Sequence, residues 1–304
     1  MLISFCNSSS NSQPSPGSNS AVYSNEEFSF PYNLSQPDTE YKLPSYLEEI
    51  SGLSYCQSGK LACVQDEKAN IYVLELGKKL NISTYKFGKD GDYEDIAVVG
   101  KTVYVIRNDG SIYRVKNFME EDKKVKKYKT ALSAKNDTEG MAFDPLSNSL
   151  LIACKGSPSI GKDNINKGYR AVYRFDLEEK ELLEKPQFLI DLNNLDNYRD
   201  KSSFSKFSAK LAKRLGLVES ETSFKPSGIS IHPLYGDIYL ISSIGKLMIV
   251  MDRRGKILEI QDLDDNLFRQ PEGICFSPSG ELYISNEGQG GKGYILKFKP
   301  LSDE

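Results

Sequence analysis

One pattern of apolar and polar residues recurs five times along the chain. Each copy has a polar start, a short apolar run, a turn and a second apolar run. In the clearest copy, Gln270 to Asn286, the runs Ile274–Phe276 and Leu282–Ile284 flank the turn Ser277–Gly280. Short apolar runs separated by Pro, Ser, Gly and Asp predict antiparallel strands. The other four copies begin near Glu49, Asp92, Asp137 and Lys225.

The spacing of the copies predicts a repeat architecture. Intervals of 43, 45, 88 and 45 residues separate the equivalent positions Ser51, Glu94, Glu139, Ser227 and Glu272. Repeats of about 40–50 residues made of short strands are typical of a β-propeller. The long interval holds either a degenerate sixth blade or one blade with insertions at 156–168 and 193–224. No second start motif occurs within it, so we predict an all-β, five-bladed β-propeller, with six blades as the alternative.

The chain divides into a tail, a lead-in and one domain. Residues 1–20 are rich in Ser, Asn, Pro and Gly, which predicts a signal remnant and a flexible tether. Residues 21–38 lead into a propeller domain at 39–300. The segment Thr39–Leu43 resembles the outermost strand of later blades, whereas the last blade has three strands of its own. We therefore expect the N-terminal strand to close the last blade and remove an open sheet edge.

Residues 2–6 indicate where in the cell the protein is located. Leu2 to Cys6 is similar to the end of a bacterial lipoprotein signal, in which Cys6 would carry the lipid. Phe5 stands where a small residue is usual, and the long apolar part of a signal is missing, so a plain disordered tail is the alternative. A lipid anchor predicts a protein of the cell envelope, in the periplasm or at the outer membrane.

Composition narrows the function classes. The net charge of −3 favours neither nucleic acid nor a membrane surface as a partner. The only histidine, His232, rules out a His-rich zinc site and weakens any Ser-His-Asp hypothesis. Its Pro-containing segment predicts a surface turn without a catalytic role. Four cysteines lie in strands without CxxC spacing: Cys56, Cys63, Cys154 and Cys275. We interpret them as buried free thiols. A Cys56–Cys63 bridge is the alternative in an exported protein.

Two sets of polar residues are expected at one mouth of the central channel. The first strand of a blade runs along the channel, and its start lies beside the end of the antiparallel second strand. From these positions we predict the ligand-binding set Glu49, Gln65, Asp66, Glu94, Glu139, Lys155, Ser227, Glu272, Asn286 and Glu287. Glu67 and Arg107 lie at neighbouring positions.

This ring of oxygen donors predicts a cation site. Converging carboxylates repel each other and acquire raised pKa values unless a cation joins them. Calcium takes six to eight hard oxygen ligands, and we expect them from Glu94, Glu139, Glu272 and Asn286. The alternative is structural, since a glutamate before glycine could accept backbone N–H groups from the next blade. The glycines of the motif indicate close backbone approach: Gly52, Gly140, Gly228 and Gly273.

As a set, the motifs resemble the SdiA-regulated (YjiK-like) family of bacterial β-propellers. The resemblance covers about Leu43 to Phe298 and implies a five-bladed envelope propeller with its site in the central channel and no settled activity. Asp95, where glycine is usual, departs from the pattern, as do the two insertions. More distantly, the chain is similar to calcium-dependent propeller hydrolases such as phytase-like esterases and lactonases. The motifs are Glu49–Ser51, Val64–Glu67, Glu94–Ala97, Thr138–Ala142, Gln270–Ile274 and Leu282–Glu287.

Two hypotheses about function follow. In the first, the protein is a monomeric binding propeller that holds Ca²⁺ or a small ligand in its channel. Its partner is a small molecule or an envelope protein, and it contacts a membrane only through a lipid anchor. In the second, a Ca²⁺-dependent hydrolase cleaves esters or phosphoesters, with Asp66 or Glu67 as base and Lys155 or Arg107 on the substrate. The sequence shows no nucleophile–base pair, which favours the first.

Overall fold

The structure of the chain is a computed structural model. It describes residues 28–77, 79–192, 195 and 224–301. Cys6, the predicted tether and most of the 193–224 insertion lie outside the described residues. Within the described part of the chain, no helix is long and apolar enough to cross a membrane.

The described residues form five antiparallel sheets arranged as the five blades of a propeller, which confirms the predicted fold. The 88-residue interval therefore holds one blade with insertions. The strands are β1 (Thr39–Lys42), β2 (Ile50–Cys56), β3 (Lys60–Gln65), β4 (Asn70–Glu75), β5 (Asn81–Lys86), β6 (Tyr93–Val99), β7 (Thr102–Arg107), β8 (Ile112–Lys116), β9 (Lys124–Tyr128), β10 (Thr138–Asp144), β11 (Ser149–Cys154), β12 (Tyr169–Asp176), β13 (Glu181–Leu182), β14 (Phe188–Asp191), β15 (Lys225–Ile231), β16 (Ile238–Ile244), β17 (Leu247–Met251), β18 (Ile257–Asp262), β19 (Pro271–Phe276), β20 (Leu282–Asn286) and β21 (Tyr294–Phe298).

The N-terminal strand closes the last blade, as predicted. The strand order in that sheet is β1-β21-β20-β19, and Thr39 pairs with Lys297 in an antiparallel register. In the third blade, β13 and β14 both pair with β12, and the 156–168 insertion joins β11 to β12. Closure pairs β21 with β1 and so joins the two ends of the described chain in one sheet.

The apolar core lies between neighbouring blades. One cluster joins Val64 and Val73 of the first blade to Ile96 and Val105 of the second, and equivalent clusters fill the other four junctions. The four cysteines of the strands are buried free thiols, as predicted: Cys56, Cys63, Cys154 and Cys275. A blade therefore buries both faces only against its neighbours, so the five repeats stabilise each other as a set.

The first strand of every blade carries a register shift at its start. In β6 the pairing passes from Tyr93 to Asp95 and leaves Glu94 without a partner residue across the strand pair. The same occurs at Glu139 in β10 and at Ser227 in β15. A bulge of this kind bends the strand and changes the direction of its side chains. The start motif therefore encodes five equivalent bulges at one end of the channel.

The predicted surface position is wrong for the His232 side chain, which is buried at 1 % exposure beside an exposed turn. The lead-in segment covers it: the Tyr32 hydroxyl lies 2.9 Å from His232 Nε2 and donates to the carbonyl of Gly280 at 2.5 Å. His232 Nδ1 accepts the N–H groups of Leu234 and Tyr235 at 3.3 Å. Nε2 must then carry the proton and donate to Tyr32, and burial lowers the pKa of His232 to about 4.

Removing the Tyr32 hydroxyl is expected to destabilise this junction. Tyr32→Phe leaves His232 Nε2 and the Gly280 carbonyl without their hydroxyl partner, and an unmet buried polar group costs about 1–3 kcal/mol. Urea denaturation should show that loss in the free energy of unfolding. Tyr46→Phe is the matched control, since Tyr46 is 54 % exposed. Equal effects of the two substitutions would contradict the prediction.

Candidate functional site

A pocket of about 190 Å³ lies at the end of the channel where the first strands begin. We call it the acidic pocket. All five blades contribute to its lining, which consists of Ser51, Asp66, Asp92, Glu94, Glu139, Lys155, Ser227, Gln270, Glu272 and Glu287. Six of these residues carry carboxyl groups and one carries an ammonium group. The structure thus brings most of the predicted ligand-binding set together.

The start-motif bulges place the central glutamates in this pocket. Glu94 and Glu139 are the unpaired bulge residues of β6 and β10. Glu272 lies in the corresponding shift of β19, between the pairs formed by Pro271 and Ile274. Because the five strands share this irregularity, their side chains at that position converge on the channel instead of alternating across the blade.

The single ammonium group of the pocket is held by a glutamate of its own blade. Lys155 Nζ lies 2.7 Å from Glu139 Oε1, and the Glu139 side chain is 9 % exposed. Burial works to lower the pKa of Lys155, but Glu139 and Glu272 outweigh it and raise the pKa. The arrangement shows that these carboxylates can enclose an ammonium group.

The four glutamates of the pocket have raised pKa values because they are buried and close to other carboxyl groups. Burial first, and then the charges of Glu139 and Asp92, raise the pKa of Glu94 to about 10. Burial followed by Glu272 raises the pKa of Glu287 to about 8. Burial also raises the pKa of Glu139 to about 7, against the opposing effect of Lys155. The pocket therefore holds protons at neutral pH that a bound cation would replace.

Asp66 differs from the paired Glu139 in the partners of its carboxyl group. Its side chain is half-buried, and burial followed by the charge of Glu49 raises its pKa to about 6. Its Oδ1 atom has no hydrogen-bond partner among the described residues. A carboxyl group with this pKa and a free oxygen is available to a ligand or to a proton in transfer.

Several predicted site residues do not line the acidic pocket. Gln65 Oε1 accepts the backbone N–H of Lys68 at 2.6 Å and so fixes a turn. Asn286 is fully buried, and its Oδ1 atom has no partner within the described part of the chain. Glu49 and Glu67 are exposed. Arg107 places its guanidinium 5.9 Å from the centre of the Tyr93 ring.

Three residues that line the pocket were missed as site candidates, Ser51, Asp92 and Gln270. Asp92 and Gln270 precede the bulge by two residues, in the loop that leads into the first strand. Asp92 Oδ2 accepts a hydrogen bond from Asn108 Nδ2 in the loop after β7. The signal in the sequence is a polar residue at an equivalent place in these two repeats, two positions before the glutamate.

The four residues predicted to hold Ca²⁺ do not form a metal site: Glu94, Glu139, Glu272 and Asn286. Among residues 28–77, 79–192, 195 and 224–301, no three His, Cys, Asp or Glu side chains are arranged to hold a metal ion. Glu139 is engaged with Lys155, and Asn286 lies outside the pocket lining. The donors therefore do not fit Ca²⁺ in this arrangement. Calcium binding stays a prediction that would require these side chains to rearrange.

Residues other than the motif glutamates fasten the blades together. The Ser227 hydroxyl donates to the carbonyl of Pro271 at 2.6 Å, and the Ser285 hydroxyl donates to the carbonyl of Ser51 at 2.8 Å. The Asp95 carboxylate accepts the N–H of Met141 from the next blade at 2.6 Å. The structural alternative therefore applies to these side chains. Among the motif glutamates, Glu139 pairs with Lys155 of its own blade, and Glu272 is hydrogen-bonded to Gln270 and to Ser243 of the fourth blade.

The motif glycines allow close contact between blades, as predicted. A Cβ atom on Gly228 would lie 2.6 Å from the carbonyl oxygen of Glu272, and one on Gly273 would lie 2.6 Å from that of Ser51. A Cβ atom on Gly140 would lie 2.9 Å from the backbone nitrogen of Ile229. The backbones of neighbouring first strands thus touch around the channel, where no side chain fits.

Solved structures with the same fold belong to proteins of different activities. A glutaminyl cyclase from Myxococcus xanthus is 11% identical, with a TM-score of 0.53, over 88% of this chain and 97% of that chain. A luciferin-regenerating enzyme is 12% identical, with a TM-score of 0.50, over 88% of this chain and 96% of that chain. At this identity the likeness shows the propeller fold alone. No curated protein matches the chain.

The sequence motifs and the fold lead to one family. The family described as SdiA-regulated matches residues 33–209, which include the strand that closes the propeller and the first three blades. That match spans more than half of the 304 residues. Together with the five-bladed propeller, it shows that this chain belongs to the SdiA-regulated family.

Proposed function

We propose that the protein is a binding propeller whose acidic pocket takes a small cationic ligand. The observation that carries the proposal is the imbalance of charge, with six carboxyl groups and one ammonium group around about 190 Å³. A ligand that brings positive charge replaces the protons held by Glu94 and Glu287. Two sources share this chemistry, a Ca²⁺ ion and an organic amine.

The contact between Lys155 and Glu139 supports an organic amine as the ligand of the acidic pocket. An ammonium group already lies at hydrogen-bonding distance from a buried carboxylate in this pocket. An organic amine repeats that contact with Glu94 or Glu272 without the six to eight oxygen ligands that Ca²⁺ requires. The calcium ion remains the second arm of the test because oxygen donors surround the same space.

Calorimetric titration of the full chain tests the proposal, with CaCl₂ in one arm and putrescine in the other. We expect saturable binding at pH 8 with release of protons, and weaker binding at pH 5, where protons compete for the carboxylates. At a hundred times its dissociation constant, the ligand should add roughly 2.7 kcal/mol to the free energy of unfolding.

Glu272→Gln removes one pocket carboxylate and is expected to weaken binding at least tenfold. Glu178→Gln is the matched control, because Glu178 is exposed in a turn of the same propeller. Absence of binding in both arms, or equal affinities for the two variants, would contradict the proposal. Binding in only one arm would assign the pocket to a metal ion or to an amine.

A hydrolytic function is the second candidate, and Asp66 favours it. Its raised pKa of about 6 and its free Oδ1 suit a general base that acts on water. Turnover of p-nitrophenyl esters or phosphoesters that Asp66→Asn abolishes would support this function. Saturable cation binding without turnover would support the binding propeller instead.

We also propose that the protein works in the cell envelope. The support is the resemblance of Leu2 to Cys6 to a lipoprotein signal, which would attach the domain through a tether. Metabolic labelling with a clickable palmitate analogue should mark the full chain and not the Cys6→Ser variant. Equal labelling of both, or none of either, would contradict the anchor.

A further inference from the structure

The opposite end of the channel holds a second and larger cavity of about 600 Å³. We call it the apolar mouth. It lies where the first strands end and the turns to the second strands begin, whereas the acidic pocket lies where the first strands start. Nothing in the proposed function uses this cavity.

A repeated side-chain pattern lines the apolar mouth. Each first strand contributes a large apolar residue, a small residue and a second large apolar residue. The five triplets are Leu53-Ser54-Tyr55, Ile96-Ala97-Val98, Met141-Ala142-Phe143, Ile229-Ser230-Ile231 and Ile274-Cys275-Phe276. Four of the outer residues are only half-buried: Tyr55, Val98, Phe143 and Ile231. The repeat therefore builds an apolar wall that remains open to solvent.

The rim of the cavity exposes further apolar surface. Leu146 is 77 % exposed, Leu234 is 60 % exposed and Tyr235 is 57 % exposed, and all three line the same cavity. They lie in the turns after β10 and β15. Apolar side chains that are concentrated around a concave opening mark a binding site more often than a plain surface.

One charged pair lies at this cavity and supplies a free donor. Arg253 Nη2 donates to Asp144 Oδ2 and joins the third blade to the fourth. Asp144 is 3 % exposed and also accepts the N–H of Leu146 and the hydroxyl of Ser147. Arg253 Nη1 is buried and has no hydrogen-bond partner among the described residues. A buried guanidinium N–H calls for an acceptor, and a carboxylate suits its geometry.

We propose that the apolar mouth binds a free monocarboxylate with a long apolar body, of the fatty-acid class. The apolar body lies against the rings of large side chains along the channel, and the carboxylate accepts a hydrogen bond from Arg253 Nη1. The cavity volume falls within the range of pockets that enclose small organic ligands. This site is separate from the acidic pocket, so neither proposal depends on the other.

Fluorescence titration with dansyl-labelled undecanoic acid and with its methyl ester tests the proposal. The full chain is expected to bind the acid with an enhanced, blue-shifted emission and to bind the ester at least tenfold more weakly. In the double variant Asp144→Asn/Arg253→Gln, both charges are removed together, so no buried charge is left alone. We expect this variant to bind acid and ester equally.

Ser230→Phe fills the cavity from a half-buried lining position and is expected to abolish binding of both probes. Acid binding that survives this substitution would overturn the proposal, and so would the absence of acid binding to the full chain. The proposal would also be overturned if the double variant preferred the acid over the ester as strongly as the wild type does. Sedimentation with phosphatidylglycerol vesicles that requires Leu146 and Leu234 but tolerates Ser230→Phe would assign this face to a membrane surface instead.

Discussion

Asp95→Asn is expected to lower the free energy of unfolding by about 3 kcal/mol, because it breaks a contact shared by three blades. Asp95 Oδ1 accepts the N–H of Ile96 at 2.7 Å, and Oδ2 accepts the N–H of Met141 at 2.6 Å. The backbone N–H of Leu53 also donates to this carboxyl group. An amide directs its NH₂ group at one of these donors and leaves a buried N–H unmet, at about 1–3 kcal/mol each.

Urea denaturation at constant pH measures the effect. Asp122→Asn makes the same change at an exposed turn and should stay within about 0.5 kcal/mol of the wild type. A loss for Asp95→Asn no larger than that of the control would show that the carboxylate does not fasten the blades.

The role of Asp95 could not be obtained from the sequence, although its position stood out. The other four repeats carry glycine there, so Asp95 was identified only as a departure from the family pattern. Its donors, on Leu53 and Met141, lie more than forty residues away in either direction. The closed propeller brings these strands together, and a Cβ atom on Gly52 would overlap the Asp95 carboxylate.

The repeats predicted the acidic pocket because equivalent positions in equivalent strands must meet around one axis. Glu94, Glu139 and Glu272 converge for that reason. The placement of Gln65 and Asn286 could not be predicted in the same way, since both end a second strand and side chains alternate between its faces. Side-chain direction at those positions depends on local hydrogen bonds, such as the one from Lys68 N–H to Gln65.

The burial of His232 depended on a segment outside the repeats. Pro233 follows His232 directly in a turn between two strands, which favours a surface position. The lead-in residue Tyr32, two hundred positions earlier, contributes to the burial of His232 together with the rings of Tyr235 and Phe276. The repeats therefore predict the positions that all blades have in common. They do not predict which side chains are buried by a segment outside the repeats.

Raised pKa values in the acidic pocket should make the unliganded protein less stable as the pH rises. Below the ordinary carboxyl pKa, folded and unfolded chains are both protonated, and the full stability is present. Between that value and the folded pKa of about 10 for Glu94, only the unfolded chain releases its proton. Each pH unit then costs about 1.4 kcal/mol for one such group.

Glu94→Gln is expected to remove that dependence and to stabilise the protein at high pH. Glutamine keeps the shape of the protonated acid without a proton to lose. The burial that raises the pKa of Glu94 is reinforced by Glu139, Asp92 and Glu272, whereas Lys155 opposes it. Relative to the wild type, the free energy of unfolding of the variant should therefore rise by up to about 4 kcal/mol from pH 5 to pH 8.

Urea denaturation of both proteins at pH 5 and at pH 8, without added cation, measures this gain. Glu121→Gln is the matched control, since its side chain is exposed and its charge is hydrated in both states. The same substitution should weaken cation binding, because it removes a carboxylate that would face the ligand. A stability difference between Glu94→Gln and the wild type that is equal at the two pH values would mean that Glu94 is ionised in the folded protein. In that case the pocket would already carry that negative charge without a ligand, and cation binding at pH 8 should release no proton from Glu94.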